Sequence, residues 1–478
     1  MAAKAPSPLT VVLLAAGMGT RMRSRRIKLL HDVAGRPMVR WVAETAAAVR
    51  PDRMIAVVGH QADDVRAALD GVCPEFVVQE HQLGTGHAVR VALDAARPGK
   101  RGTLVILNGD LPTLRMTTLR ALLARHRRSQ AVLTFLTADL DDPTGYGRVT
   151  RDDRGAVRRI VEHRDADAAV RRVREINVGI YCAEVGVLQP AVRALRADNS
   201  QGEYYLTDAV HALIDRGVKV EGLRHADALE ILGVNTRAEL AQATRTLYLR
   251  KAAALMEAGV TIVDPDSARI DPRARIGRDT IVHPGVQIEG PCVVGADCLI
   301  YPGCRIVNCT IGDGAVIRDH SVLTDSVIGA RAEIGPFAHL RPGNELAERV
   351  KIGNFVELKK SRLHAGVKAN HLSYLGDADV GEGSNVGAGT ITCNYDGTAK
   401  HRTVLGRGVF VGSDTQLVAP VRVGDGAYIG AGTTVTDDVP GGALAVSRTR
   451  QTNIEGWVAR RRAKLAAQSA GRTKISKS

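Results

Sequence analysis

The stretch GVFVGSDTQLVAPVRVGDGAYIGAGTTVTDDV, residues 408–439, returns an aliphatic side chain at every sixth position, at Val411, Leu417, Val423, Ile429 and Val435, often with glycine after it. That period belongs neither to an amphipathic helix nor to an alternating strand, so it signals a repeat. The same beat runs through Ile270, Ile276, Val282, Ile288, Val294, Ile300 and Ile306, resumes at Ile328, Ile334 and Leu340, and recurs at Val380, Val386 and Thr392. A unit of six residues cannot bury an apolar face alone. Stacked units can share one continuous core, with Gly, Asn and Asp turning the chain between short strands, so this half of the protein is a solenoid.

The repeat, aliphatic-Gly-x-small-x-x, resembles the hexapeptide repeat of left-handed parallel β-helices, in which three units make one triangular turn. Polar residues at Asn344–Arg349 and Tyr395–Arg402 interrupt the beat and predict loops thrown out from the coil. Cys292, Cys298 and Cys304 occupy one slot in successive units, four places after the aliphatic residue. Small-residue core filling is the reading preferred over metal ligation there.

A chain of 478 residues holds two to three domains. It shows no N-terminal apolar segment and no long apolar span, which predicts neither secretion nor membrane insertion and places the protein in the cytoplasm. Seven cysteines without CxxC spacing suit reduced thiols. The formal charge of +14 favours anionic partners. Aromatic residues are only 3% of the chain and no nucleic-acid motif is present, so phosphorylated metabolites account for the bias better than a specific nucleic acid. Much of the excess lies in the tail, at Arg460, Arg461, Arg462, Lys464, Arg472, Lys474 and Lys477, which reads as solvated and disordered.

Residues 9 to about 235 follow another rule. Apolar runs at Leu9–Ala16, Met54–Gly59, Thr103–Leu107, Ala131–Ala138 and Ile176–Ala183 alternate with helical patterns, which predicts an α/β domain with a mostly parallel sheet. The first run leads into Ala15-Ala16-Gly17-Met18-Gly19-Thr20-Arg21-Met22. Two glycines let the backbone approach a phosphate, but a dinucleotide fingerprint would need a third glycine, and a tight turn is an equal reading of Gly-x-Gly alone. A buried run ends at Asn108-Gly109-Asp110-Leu111-Pro112, and at the carboxyl edge of an open sheet Asp110 could hold Mg2+; the alternative is a cap for the next helix.

The motif Leu14–Met22, with Lys28 a few residues on, resembles the signature loop of sugar-phosphate nucleotidyltransferases. Further matches occur at Gln79–Gly86, Pro143–Arg148, Ile160–Glu162, Glu175–Asn177 and Gly233–Asn235. Taken with the coil, residues 9 to about 457 resemble the bacterial family of bifunctional N-acetylglucosamine-1-phosphate uridyltransferases/glucosamine-1-phosphate acetyltransferases. This resemblance implies a Rossmann-like nucleotidyltransferase domain at 1–237, a helical arm at 238–258, a left-handed β-helix acetyltransferase domain at 259–459 and a basic tail at 460–478. Thr236-x-x-Glu239 reads as a capping box for the arm, Gly259 as its stop, and Leu240, Leu247 and Leu255 as its apolar stripe.

By the same resemblance, Leu14, Ala15, Gly17, Gly19, Arg21, Lys28, Gln79, Gly84, Thr85, Asn108 and Gly109 bind UTP, and Gly147, Glu162, Asn177 and Asn235 complete the nucleotide-sugar site. Asp110 and Asn235 hold Mg2+; helix capping is the other reading of Asn235. The family commonly carries Pro before its phosphate-binding lysine, whereas Ile27 precedes Lys28 here. His371 matches the catalytic base of acetyl transfer, with Glu357 to orient it. Arg341, Lys359, Tyr374 and Asn385 would bind glucosamine-1-phosphate, while Ala388, Asn394, Tyr395, Ser413, Ala431 and Arg448 would line the acetyl-CoA cleft. A homotrimer is implied. The rival readings are a monofunctional nucleotidyltransferase with a regulatory or oligomerising coil, and a nucleic-acid-binding protein.

Overall fold

The computed structural model describes residues 7–17, 19–97, 99 and 101–475. The chain divides into two compact units: one runs through Ala258 and takes in Asp264–Ala274, the other comprises Gly259–Val263 and the chain from Arg275 onward.

The first unit is built on a sheet with strands in the order Val220–Arg224, Leu133–Asp139, Glu175–Glu184, Thr103–Asn108, Leu9–Ala15, Arg53–Val58 and Glu75–Val78. Neighbours are parallel except at Glu175–Glu184, which runs antiparallel to both its partners. An antiparallel hairpin, Arg148–Arg151 and Val157–Val161, joins Glu175–Glu184 at Ile176. The central strands are apolar in succession because both faces are covered. Val11, Leu13 and Ala15 pack with Val39, Val42, Val65 and Leu122 on one face, and Val12 with Val89, Leu93, Leu188 and Val210 on the other. The sequence pattern misses the two outer strands, Glu75–Val78 and Val220–Arg224, whose residues are half-buried or exposed. An edge strand lacks the continuous apolar run that marks a central one.

The helix after this sheet spans Arg237–Glu257. Thr236 Oγ1 accepts from Glu239 N at 3.2 Å, and Glu239 Oε2 accepts from Thr236 N at 2.8 Å, a reciprocal cap. Gly259 follows the helix with φ +92, a conformation that favours glycine. Leu255 is buried, and Leu240 and Leu247 pack half-buried against the core.

The second unit is a left-handed parallel β-helix, its two- to four-residue strands forming three parallel ladders. The aliphatic beat faces inward: Val282, Ile300, Ile334, Leu340, Val380, Val411 and Leu417 have no exposed surface. Cys292, Cys298 and Cys304 are also fully buried free thiols filling the small-residue slot. The gaps in the beat are five-residue steps. Ile306 pairs with Leu323 and Leu323 with Leu340, a spacing of 17, whereas Val282 pairs with Ile300 at 18. Asn308, Asp325, Lys360 and Asp377 take positive φ at the shortened corners, the conformation that absorbs the missing residue.

One expected loop is absent. Asn344–Arg349 continues the coil, with Leu346 buried in register between Ile328 and Leu363. Asn344 fills the small slot at 1% exposure because its Nδ2 donates to Leu358 O at 3.4 Å and its Oδ1 accepts from Ser361 N at 3.1 Å. A polar side chain whose hydrogen bonds are met is tolerated inside. The Tyr395–Arg402 insertion does leave the coil, closed by a bridge between Tyr395 and Lys400.

The tail also departs from expectation. Residues 460–475 belong to a helix, Trp457–Ile475, rather than to disordered chain, and Lys477 lies outside the described residues. Its Ala, Arg, Lys and Leu are strong helix formers, and the side chains of residues 457–468 are exposed, so solvent meets the charge that argued for disorder. Among the described residues no helix is long and apolar enough to cross a membrane.

Candidate active sites

The first site lies in the sheet unit, where Leu9–Ala15 and Thr103–Asn108 end side by side, Leu14 opposite Asn108. Parallel strands open their ligand crevice at this edge. Gly109 N donates to Leu14 O at 3.0 Å, and a Cβ on Gly109 would press on that oxygen and on Leu29. A Cβ on Gly19, at φ +66, would collide with Lys28. The glycines therefore bring three segments together: the loop after the first strand, the turn Lys28–Leu30 and the Asn108–Asp110 corner.

Two cavities meet there. One of about 510 Å³ is lined by Leu14, Gly17, Gly19, Lys28, Gln79, Gly84, Thr85, Asn108, Gly109 and Asp110. The other, of about 220 Å³, is lined by Arg21, Gly147, Glu162, Asn177 and Asn235 and shares Leu14, Thr85, Asn108 and Asp110 with the first. Residues from widely separated motifs are thus gathered into one place; Ala15 is buried within its strand.

Charge concentrates where the two cavities meet. Lys28 Nζ donates to Asp110 Oδ2 at 2.5 Å and to Asn235 Oδ1 at 3.0 Å, and Arg21 donates to the same Asn235 oxygen at 2.8 Å. Asp110 does not cap a helix, since the next one, Met116–Ser129, starts after Arg115 without a side-chain cap. Nor does the Asn235 side chain: Thr236 is the cap, and Asn235 contributes only its backbone N–H, to Glu239 Oε2 at 2.6 Å. A carboxylate oxygen and an amide oxygen converging on one ammonium are the hard donors that Mg2+ takes. Among the described residues no group of three or more His, Cys, Asp or Glu could hold a metal, so an ion here would draw its remaining ligands from phosphate and water.

In the smaller cavity, Glu162 accepts from Thr207 Oγ1 at 3.1 Å, and burial raises its carboxyl above the usual range. Asn177 donates to Tyr181 Oη at 2.6 Å and accepts from Gly179 N at 3.2 Å, at a break in strand register. Tyr146, a lining residue that the sequence reading did not single out, has its hydroxyl pushed up to about 12 by burial and by the Glu239 and Asp110 carboxylates. Glu203, on the larger cavity, and Thr207, on the smaller, belong to no motif and arrive by folding. In the larger cavity Gln79 is buried and donates to Gly84 O at 3.3 Å.

The second site lies on the coil. Asn354 and His371 are paired on one ladder, and Glu357 and Tyr374 on the next, on either side of the same corner. His371 Nδ1 lies 2.9 Å from Asn354 Oδ1. Glu357, expected to orient the imidazole, instead accepts from Arg341 at 3.0 Å. An amide oxygen has no proton to donate, so Nδ1 carries the hydrogen, which in the neutral ring leaves the lone pair on Nε2. Lys359 follows Glu357 on its strand, and the neighbouring Lys400 ammonium, with Arg341, lowers its pKa. Lys400 comes from the Tyr395–Arg402 insertion, whose polar sequence carried no signal of a third cation.

Along the same corner, Leu372 O accepts from Gly389 N, Ala388 O from Asp414 N and Ser413 O from Gly432 N. His371, Ala388, Ser413 and Ala431 therefore form a file along the coil axis, about 4.8 Å per step. Arg448 donates to Ala431 O at 2.7 Å at its end. Asn394 is buried and donates to Asp377 at 2.5 Å, and Tyr395 stands exposed at the root of the insertion. Asn385 is separated from this corner, paired with Lys368 and Phe410 three residues upstream of Ala388.

Residues 11–203 match the MobA-like NTP transferase domain, residues 258–343 the GMPPB C-terminal domain and residues 402–437 the bacterial transferase hexapeptide (six repeats). The bifunctional protein GlmU of Pelobacter propionicus is 51% identical over 450 residues, covering 94% of this chain and 98% of its own length. That of Geotalea uraniireducens is 49% identical over 450 residues, with the same coverage. That of Corynebacterium glutamicum is 47% identical over 467 residues, 96% of each chain.

Proposed function

Because the chain belongs to the GlmU family of bifunctional proteins, we propose that its sheet unit performs uridylyl transfer and its coil acetyl transfer, through the residues described above. The protein is a UDP-N-acetylglucosamine pyrophosphorylase and a glucosamine-1-phosphate acetyltransferase. It acetylates glucosamine-1-phosphate from acetyl-CoA, then couples the product to UTP, releasing UDP-N-acetylglucosamine and pyrophosphate. Relatives of nearly equal length that are named bifunctional do not favour a merely regulatory coil.

The observation that carries the first half is the junction of the two cavities at Asp110, where Lys28 of the larger meets Asn235 and Arg21 of the smaller. The sugar phosphate is already anionic, so in-line attack on the α-phosphorus needs no base and rests on positioning and charge neutralisation. The large cavity takes UTP, with Gln79 and the Gly84-Thr85 backbone at the base and Lys28 and Arg21 at the phosphates. The small cavity takes N-acetylglucosamine-1-phosphate, gripped by Gly147, Glu162 and Asn177. Asp110 and Asn235 would hold Mg2+, which when bound would neutralise charge on the phosphates, and Lys28 offers its ammonium to the triphosphate.

In the coil, His371 Nε2 removes a proton from the substrate amine as it attacks the thioester carbonyl, and CoA leaves as the thiol. Arg341, Lys359 and Tyr374 bind the sugar phosphate, while Ala388, Asn394, Tyr395, Ser413, Ala431 and Arg448 line the acetyl-CoA cleft. We propose a homotrimer in which a neighbouring copy completes this site. Two features support it. Asn385 stands apart from the corner of His371, and beside that corner runs an exposed apolar ladder, Phe337, Phe355 and Leu372, the two rings stacked 5.4 Å apart. Solvent-facing apolar ladders of this kind usually mark an interface. The reading also places the protein in the cytoplasm, with UTP and acetyl-CoA.

The test separates the two chemistries. His371→Ala is expected to abolish CoA thiol release and leave uridylyl transfer intact, and Asp110→Ala to remove Mg2+-dependent pyrophosphate release alone. Loss of both activities in either folded variant would refute the division.

A further inference from the structure

We propose that Gln61 is a positioning residue for Lys28, clamping the segment that precedes it through both ends of one amide. The inference rests on the assignment of Lys28 to the triphosphate. Gln61 follows the Arg53–Val58 strand and precedes the helix Ala62–Ala68. Its Oε1 accepts from Ile27 N at 2.9 Å, and its Nε2 donates to Arg25 O at 3.0 Å. A single side chain thus presents an acceptor and a donor to alternate groups of the 25–27 backbone, as a neighbouring strand would.

The clamp fixes the root of the lysine. Ile27 is 3% exposed, and its carbonyl accepts from Leu30 N at 3.1 Å, closing the short turn that Lys28 begins. Gly19 lies so close to the Lys28 side chain that a Cβ there would collide with it. Held between glycine loop and clamp, Lys28 has little freedom, and its ammonium falls on Asp110 and Asn235. Gln61 itself sits at φ +52, a conformation unfavourable for a residue with a Cβ. Its two hydrogen bonds offset that cost next to a functional loop.

A further observation makes the role separable from simple packing. Ile27 has φ −61 and ψ 152, and −61 is a value that a proline ring fixes. The segment can therefore be held in two ways: with an N–H at position 27 that Gln61 satisfies, or with no N–H and a ring that sets φ. Replacing Ile27 by Pro should make the amide of Gln61 dispensable.

The experiment measures uridylyl transfer against UTP concentration, with acetyl transfer and a thermal melt alongside. Gln61→Met keeps side-chain length and a Cβ at φ +52 but removes the amide. It is expected to raise KM for UTP about tenfold, the scale of one hydrogen bond in the positioning of a binding group, with acetyl transfer unchanged. Adding Ile27→Pro is expected to bring KM back to within about threefold of the parent. Should Gln61→Met fold poorly, Gln61→Glu retains the acceptor for Ile27 and loses the donor to Arg25, and its KM should fall between parent and Gln61→Met. An inactive Lys28→Met beside an unaltered KM in Gln61→Met refutes the clamp, as does a double variant no better than the single one. An active Lys28→Met refutes the underlying assignment instead.

Discussion

Replacing Asn354 by alanine tests which residue orients the acetyl-transfer base. Its Oδ1, 2.9 Å from His371 Nδ1, selects the tautomer that leaves Nε2 basic. The imidazole is exposed, so this neutral hydrogen bond is worth about 0.5–1.5 kcal/mol, or about two- to twelvefold in rate. Asn354→Ala is therefore expected to lower kcat for CoA release by that factor with little change in KM. Asn354→Asp places a carboxylate against the ring and favours the imidazolium form. Because the neutral ring is the working form, the acid limb of the pH–rate profile should move to higher pH. Glu357→Gln, which loosens Arg341, should raise KM for glucosamine-1-phosphate and leave that limb in place. The assay is continuous detection of CoA thiol between pH 5 and 9. A shift of the acid limb in Glu357→Gln, or an unchanged kcat in Asn354→Ala, would refute the assignment.

Glu175, 5% exposed, binds Arg151 at 2.6 Å and Arg224 at 2.8 Å, pinning together the strands beside Asn177. Burial alone would raise its pKa, but the two guanidinium groups win and hold it at about 2. A depressed carboxylate contributes stability that is present above its unfolded pKa of about 4.5 and is lost as pH falls toward 2, about 3 kcal/mol in all. Acid titration of sheet-unit stability should show this loss, and Glu175→Gln should flatten it; an unchanged curve in the variant would contradict the pairing. Phe355→Ser, on the apolar ladder, should dissociate the proposed trimer in sedimentation and lower acetyl transfer while sparing uridylyl transfer. If the ring merely faced solvent, Phe355→Gly would relieve its φ of +56 and stabilise the monomer by about 1 kcal/mol.

Much of this was legible in the chain because it rests on local repetition. The six-residue beat requires a stacked coil, and the buried runs of Leu9–Ala15 and Thr103–Asn108 require a sheet covered on both faces. Asn344–Arg349 misled because polarity was taken for exposure, whereas a buried amide with satisfied hydrogen bonds passes for a small residue. The tail misled in the opposite sense, since its charge concealed a run of helix formers.

Motif residues such as Gly19, Lys28, Asp110 and His371 are marked in sequence because each sits on a short segment whose own conformation presents it. Their partners are not so marked. Asn354 reaches His371 only because the coil returns after 17 residues, and Gln61 reaches Ile27 only because two loops share one sheet edge. Periodicity and turn chemistry act between neighbours along the chain, so they determined the two folds and the reactive groups. Orientation, charge balance and cavity boundaries arise between segments brought together by folding, and tertiary structure alone decided those.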